Sequence, residues 1–251
     1  MQTLKLNNLF IRSVVVVTEK NIRIYYTKAP VIIFGLLFPL FIFLAFYLGR
    51  DVNLKFFFPG LLAMSLFFTA SSVGPLITPW EKQAGTYERL LSFPVSVNTI
   101  ILGDIAAGMI FGLTINLIVL ITGLAFFNYA AHFVTLVLAM IVASFCFSSL
   151  GVLLASPSVR SPSHIMMFSS LIRFPLIFIS GVLIPLEKLS RAGRFLAYFS
   201  PITYLVDIFN KALVGKSYLS VFLSWFMLIV FGAIFLLLSR KLHKKNLFKG
   251  L

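Results

Sequence analysis

The sequence predicts an all-α membrane protein. It should have six transmembrane helices, an N-terminal interfacial helix, both termini cytoplasmic, and short re-entrant helices between spans five and six. Three observations predict it. Only 11% of the 251 residues are charged, against about 25% in a soluble domain. Several stretches run close to twenty residues almost without charge, the length needed to cross a hydrocarbon core of roughly 30 Å. The 21 Lys and Arg, against 7 Asp and Glu, gather at the two ends and in the loops, where orientation and lipid headgroups place them. That distribution, rather than nucleic-acid binding, accounts for the net charge of +14; a nucleic-acid binder would show a basic face on a soluble domain. Residues 1–251 read as one transmembrane domain.

The first element is a helix over 5–28. On a helical wheel Lys5, Arg12, Glu19 and Arg23 fall on one side, and Leu6, Phe10, Val14, Val17 and Ile24 largely on the other. That suits a helix lying in the membrane interface. The run Val14–Val17 also permits a strand, but the charge periodicity favours helix. Pro30 ends it. No cleavable leader is expected, because about thirty residues of mixed polarity precede the first apolar run.

Six spans follow, at about 31–49, 56–77, 101–127, 133–155, 164–184 and 219–239. An even number puts both termini on one side. Lys5, Arg12, Lys20, Arg23 and Lys28 precede the first span, and Arg240, Lys241, Lys244, Lys245 and Lys249 follow the last. Lys82, Arg89 and Arg160 lie in the connections on that side. The other side has Arg50 and Lys55, nothing basic except His132 in the turn Asn128–His132, and five basic residues in 185–218. Short loops and termini dominate orientation, so the termini are expected in the cytoplasm. The 185–218 segment is too apolar for a free loop and is broken at Pro201, so it reads as two short helices dipping into the outer leaflet.

The stretch ITPWEKQAGTYERLLSFPVS, residues 77–96, is unlike its surroundings. Glu81, Lys82, Glu88 and Arg89 fall within nine positions between two apolar runs. Thr78 as N-cap, Pro79 at N1 and Glu81 at N3 predict a helix start with a capping box, and Pro94 forces an exit near Phe93. Over 79–93, Trp80, Ala84, Tyr87 and Leu91 share one face, Glu81 and Glu88 flank it, and Lys82 and Arg89 lie further round. Gly85 costs such a helix about 1 kcal/mol against Ala, pointing to a kink or a close contact. The pattern fits either an interfacial helix with a Trp/Tyr anchor or a docking surface whose two signs of charge fix register.

The same stretch resembles the E-x-x-x-G-T-x-E-x-L-x-x-x-P-V-S stretch of type-2 ABC exporter permeases, through Glu81, Gly85, Thr86, Glu88, Leu90, Pro94, Val95 and Ser96. SGVLIPLEKLSRAGRFLAYFSPITYLVDIFNKAL resembles that family's segment between spans five and six, through Ser180, Gly181, Pro185, Leu189, Ser200, Pro201, Tyr204 and Asp207. One departure is that Arg191 or a neighbour stands where the family has a second proline after Pro185. The resemblance implies a multi-pass permease of the plasma or inner membrane that moves an amphipathic drug, lipid or glycolipid outward. It implies a second permease subunit, identical or related, and a separate ABC ATPase subunit holding ATP and Mg. It makes 79–93 the coupling helix, with Glu81, Lys82, Gly85, Thr86, Glu88 and Arg89 seated on the ATPase, and 5–28 an "elbow" helix. The chain contains no G-x-x-x-x-G-K-[ST] phosphate loop, so no nucleotide cofactor is expected on it and the expected partners are the ATPase, the second permease and membrane lipids.

Other candidates are single residues. Arg173 lies about nine residues, roughly 13 Å, from either end of span five, where a charge costs at least ~2.5–3.5 kcal/mol. It either lines the translocation path, with Pro201 and Tyr204, or pairs with a carbonyl freed by Pro175 or with an acid on another helix. Asp104 reads as an acid in the first turn of span three, and Asp207 as an i,i+4 partner of Lys211. His132, His164 and His243 show no metal spacing, and Cys146 reads as a small core residue. Ala106-Ala107-Gly108 with Gly112 allows close helix packing, within the chain or between two copies. No catalytic Ser/His/Asp set or H-E-x-x-H occurs. A membrane scaffold or assembly factor, and an intramembrane lipid-modifying enzyme, are the alternatives to a permease.

Overall fold

The computed structural model describes residues 2–26, 28, 32–33, 37–49, 54–93, 95–127, 132–157 and 161–246. Among the described residues every regular element is a helix: α1 Gln2–Tyr25, α2 Phe38–Gly49, α3 Leu54–Ser72, α4 Gly74–Gln83, α5 Thr86–Ser92, α6 Val97–Phe127, α7 Phe133–Leu154, α8 Pro162–Phe178, α9 Arg191–Ala197, α10 Pro201–Val214 and α11 Val221–Asn246, with a 3₁₀ turn at Leu186–Lys188. The strand option at Val14–Val17 is therefore removed. Pro30, Arg50, Pro94, the turn from Asn128, Arg160 and Lys249, together with the faces expected of Lys5, Leu6 and Lys55, lie outside the described residues.

Four helical runs are long and apolar enough to cross a membrane: Phe57–Gln83, Val97–Phe127, Phe133–Leu154 and Val221–Asn246. They correspond to the expected spans two, three, four and six. The described part of span one, α2, has 12 residues, about 18 Å of helix, and the sequence before Phe38 lies largely outside the described residues. Span five is shorter than expected. Helix α8 has 17 residues and stops at Phe178, not at 184, because the chain turns at Ser180–Gly181, where Gly181 takes φ +81°.

Helix α3 occupies the centre, packed against α6, α7 and α10. Leu62, Ala63, Phe67, Phe147, Ile202 and Phe209 meet there, all with no measurable exposure. Small residues set the helix spacing. A Cβ on Gly112 would stand 2.8 Å from the Cβ of Ala70, and one on Gly108 would stand 2.8 Å from the Ala70 carbonyl. The small-residue stripe of 106–112 therefore packs α6 on α3 inside one chain. A Cβ on Gly151 would lie 2.5 Å from the Ser71 carbonyl, and one on Gly74 equally close to the Gly151 backbone. The α3–α4 junction thus rests directly on α7.

Residues 185–218 form the two short helices expected of them, α9 and α10, broken at Ser200–Pro201. Pro201 takes the first turn of α10. At the departure from the family pattern, Ser190 caps α9 by accepting the Gly193 N–H at 3.2 Å. Helix α10 is no surface element: every side chain from Pro201 to Phe209 is buried. Asp207 does not pair with Lys211. Its Oδ1 accepts the backbone N–H of Tyr218 (2.6 Å) and Leu219 (3.1 Å), and its Oδ2 accepts the Ser224 hydroxyl (3.0 Å). Lys211 instead donates to the Gly215 carbonyl at 3.4 Å. An acid beside amides about to enter a helix is worth more as a cap than as half of an exposed ion pair, so Asp207 secures the start of α11. Cys146 is a buried core residue.

Candidate functional site

The charged stretch 77–96 is built differently from the single capped helix expected of it. Helix α4 begins at Gly74, four residues before Thr78, with Pro75 in its first turn and Pro79 inside it. Val73, between α3 and α4, keeps helical φ/ψ of −69° and −45°, so the segment is a prolongation of span two. There is no capping box: Thr78 lies inside the helix and donates its hydroxyl to Asp104 Oδ2 at 3.0 Å. The helix then breaks at Gly85, whose φ of +67° is left-handed. Of the two roles open to Gly85 the kink is the right one, since a Cβ there would meet nothing within 4 Å. Thr86 bridges the break, its hydroxyl donating to the Glu81 carbonyl at 3.2 Å. Helix α5 ends at Ser92, and Phe93 is extended (ψ 161°), as a residue before proline must be.

The kink divides the expected faces. Trp80 and Ala84 are exposed, whereas Tyr87 is buried. Of the six residues assigned to partner docking, Gly85, Thr86, Glu88 and Arg89 are exposed and Lys82 is half-buried, its ammonium 5.5 Å from the centre of the Tyr87 ring. Glu81 is the correction. It is 2% exposed and forms an ion pair with Lys20 of α1. A carboxylate that far from water needs a cation, and α1 supplies it.

Lys20 belongs to a polar seam between α1, α4 and α6. Beside it, Asn21 is fully buried and donates from Nδ2 to Asp104 Oδ1 at 2.7 Å. Thr18 donates to the Gly103 carbonyl at 3.3 Å, and the Tyr26 hydroxyl to the Ala107 carbonyl. Val17 packs where Gly103 lacks a side chain; a Cβ there would stand 2.5 Å from the Val17 Cγ1. Asp104 is thus no first-turn acid: α6 begins at Val97, and Asp104 lies 1% exposed on its second turn, shared by Asn21 and Thr78. Tyr87 returns to this seam after the kink; burial first, then the carboxylates Asp104, Glu81 and Glu88, push its phenol above the ordinary range. The protein-facing stripe of α1 is therefore Val14, Val17, Thr18 and Asn21, while Phe10 and Ile24 of the expected apolar face are exposed with Leu9, Ile11, Val15 and Val16. Sequence reading missed Lys20, Asn21 and Thr78 as site residues. The available signal was Asp104, an acid in an otherwise apolar run that calls for partners.

Arg173 is enclosed, 2% exposed. Its Nη1 donates to the Ser72 hydroxyl at 2.8 Å, its Nε to the Ser169 carbonyl at 3.4 Å, and its guanidinium lies 5.7 Å from the centre of the Phe68 ring. Among the described residues, neither an acid nor the carbonyl freed by Pro175 is its partner. It joins α8 to the α3–α4 junction. Pro201 and Tyr204 are buried in α10; the Tyr204 hydroxyl donates to the Tyr198 carbonyl at 2.8 Å, closing the end of α9. Ser200 donates to the Leu176 carbonyl at 2.9 Å, which ties Pro201 to the helix that carries Arg173. His243 approaches the Val152 carbonyl at 3.0 Å, and Asn246 donates to the Ser156 carbonyl at 2.9 Å, so the end of α11 closes the end of α7. Among the described residues no His, Cys, Asp and Glu gather as a metal-ligand set.

Fold and site define a class: an all-helical, multi-pass membrane protein in which one apolar helical run, Phe57–Gln83, continues into a kinked, charged segment anchored by the N-terminal helix. Residues 12–214 match the family described as ABC-2 type transporter, and the chain belongs to that family. It is 26% identical over 194 residues to the inner membrane transport permease YadH of Escherichia coli K12, covering 77% of this chain and 75% of that one. Over 199 residues it is 22% identical to Nodulation protein J of Rhizobium leguminosarum bv. viciae, covering 76% and 74%. The chain is thus a transport permease subunit.

Proposed function

We propose that this permease works in an ATP-driven exporter: six spans, cytoplasmic termini, a second permease subunit, and a separate ATPase that seats on the segment around Gly85. The cargo on this reading is an amphipathic drug, lipid or glycolipid. The carrying observation is the ion pair between Lys20 and the buried Glu81. It fastens the root of the charged segment to α1, while Glu88 and Arg89 at the tip stay exposed. A rigid root with a two-sign, solvent-facing tip suits a part that is pushed. Because α3 and α4 form one nearly continuous helix, displacement of the tip is delivered along span two to the Arg173–Ser72 contact.

The test is Glu88→Lys in this chain, co-expressed with an ABC ATPase subunit that co-purifies with the parent chain. The variant should insert and fold normally, because an exposed substitution changes stability by less than about 0.5 kcal/mol. It should lose ATPase co-purification and substrate-stimulated turnover. Retention of both would remove the docking role.

A further inference from the structure

At the end of the bundle away from the charged segment, a cavity of about 450 Å³ opens between α3, α10, the loop before α9 and the turn after α10. Gly60 on its wall and Glu81 are 21 residues apart along α3–α4, about 30 Å of helix. We propose that this cavity binds an amphiphile with an acidic headgroup, a phosphate or carboxylate, and that such an amphiphile belongs to the transported class; the second half rests on the export reading above.

The lining has two chemistries. The floor is apolar: Val182, Leu186 and Val206 are all buried and line it. The rim is cationic. Lys188 and Lys216 line it and are exposed, and neither has an ion-pair partner among the described residues. Tyr218, also on the rim, holds a third cation close by: Arg194 Nη1 donates to its hydroxyl at 2.8 Å. Two acids line the cavity, Glu187 and Asp207. Asp207 is already engaged by the amides of Tyr218 and Leu219 and by Ser224, so it shapes the wall and leaves the rim with an excess of positive charge over Glu187. The volume fits a small-molecule pocket, and a greasy floor under basic side chains matches a chain with an anionic head.

The walls are also fixed. A Cβ on Gly60 would stand 2.8 Å from the Val182 carbonyl, and one on Gly181 3.0 Å from Leu186 Cγ, so the loop after α8 lies directly on α3. Asp207 pins the opposite wall. A cavity held this way is formed before its ligand arrives, which lowers the ordering cost of binding.

The experiment is equilibrium binding to the purified chain in detergent, with three ligands: short-chain phosphatidate, short-chain phosphatidylcholine and inorganic phosphate. Phosphatidate should bind at least about tenfold more tightly than either of the others. The exposed pair Lys188→Gln/Lys216→Gln should fold normally and lose about tenfold in phosphatidate affinity, and Lys188→Arg/Lys216→Arg should restore it. Gly60→Val, which pushes the Val182 loop, should weaken binding with the lysines intact. Equal binding of phosphatidylcholine, equal binding of inorganic phosphate, or an unchanged affinity in the glutamine variant would each overturn the site. No ATPase is present in this assay, so it stands apart from the export reading. If binding behaves as expected but the glutamine variant transports phosphatidate normally in ATPase-containing proteoliposomes, the site holds and the assignment of cargo fails.

Discussion

Replacing Lys20 should cost more than replacing Glu81, although the two form one ion pair. The reason is unequal burial: the Lys20 side chain is 25% exposed and the Glu81 side chain 3%. In Lys20→Met the carboxylate stays buried with no cation, and its Oε2 already has no hydrogen-bond partner. Breaking a buried pair from that side costs about 3 kcal/mol. In Glu81→Met the ammonium turns to water, so only an exposed-pair interaction goes, about 1 kcal/mol or less. In the double variant neither charge of the pair remains, and its stability should return to within about 1 kcal/mol of the parent. Thermal unfolding in detergent reads all three. For a chain of this size about 3 kcal/mol corresponds to roughly 6–12 °C, so Lys20→Met should melt that far below the parent and the double variant close to it. Two single variants of equal cost, or costs that add in the double, would refute the inference that Glu81 depends on Lys20 rather than on solvent.

Three further outcomes follow from the same geometry. Gly85→Ala forces a Cβ into the left-handed region, costing about 1–2 kcal/mol locally; hydrogen exchange should speed across Thr86–Ser92 while α3 is unaffected. Arg173→Met should raise the melting temperature by the equivalent of about 1–4 kcal/mol, since Ser72 keeps a hydrogen bond to the Phe68 carbonyl and no polar group is orphaned; if Arg173 serves the transport stroke, transport falls in the same variant. Asp207→Ala strips an acceptor from two amides and a hydroxyl, at about 1–3 kcal/mol, and should speed tryptic cleavage after Lys216.

The long apolar helices were legible because the membrane leaves the sequence few choices: backbone groups must pair within the segment, and only unbroken apolar runs do so. The break at Pro201 and the kink at Gly85 were legible for a related reason, since proline and glycine alter the backbone at their own position. Interfaces were not legible, because a helical wheel ranks residues by polarity alone. It put Phe10 on one apolar face with Val14 and Val17 and treated Lys20 as one more basic residue before a span. In the folded chain Phe10 is exposed and Lys20 is bonded to Glu81. Thr78 shows the limit most clearly. Followed by Pro79 and Glu81 it has the local pattern of a helix start, and in an isolated peptide its hydroxyl would have a free amide to accept. Inside α4 that amide is already used, and Asp104, 26 residues on, is a buried carboxylate that needs donors. The tertiary bond prevails because leaving an acid unpartnered costs more than leaving out a cap. Asp104 was thus the informative residue: a carboxylate inside an apolar helix requires donors from helices packed on it, and α1 and α4 are the two that supply them.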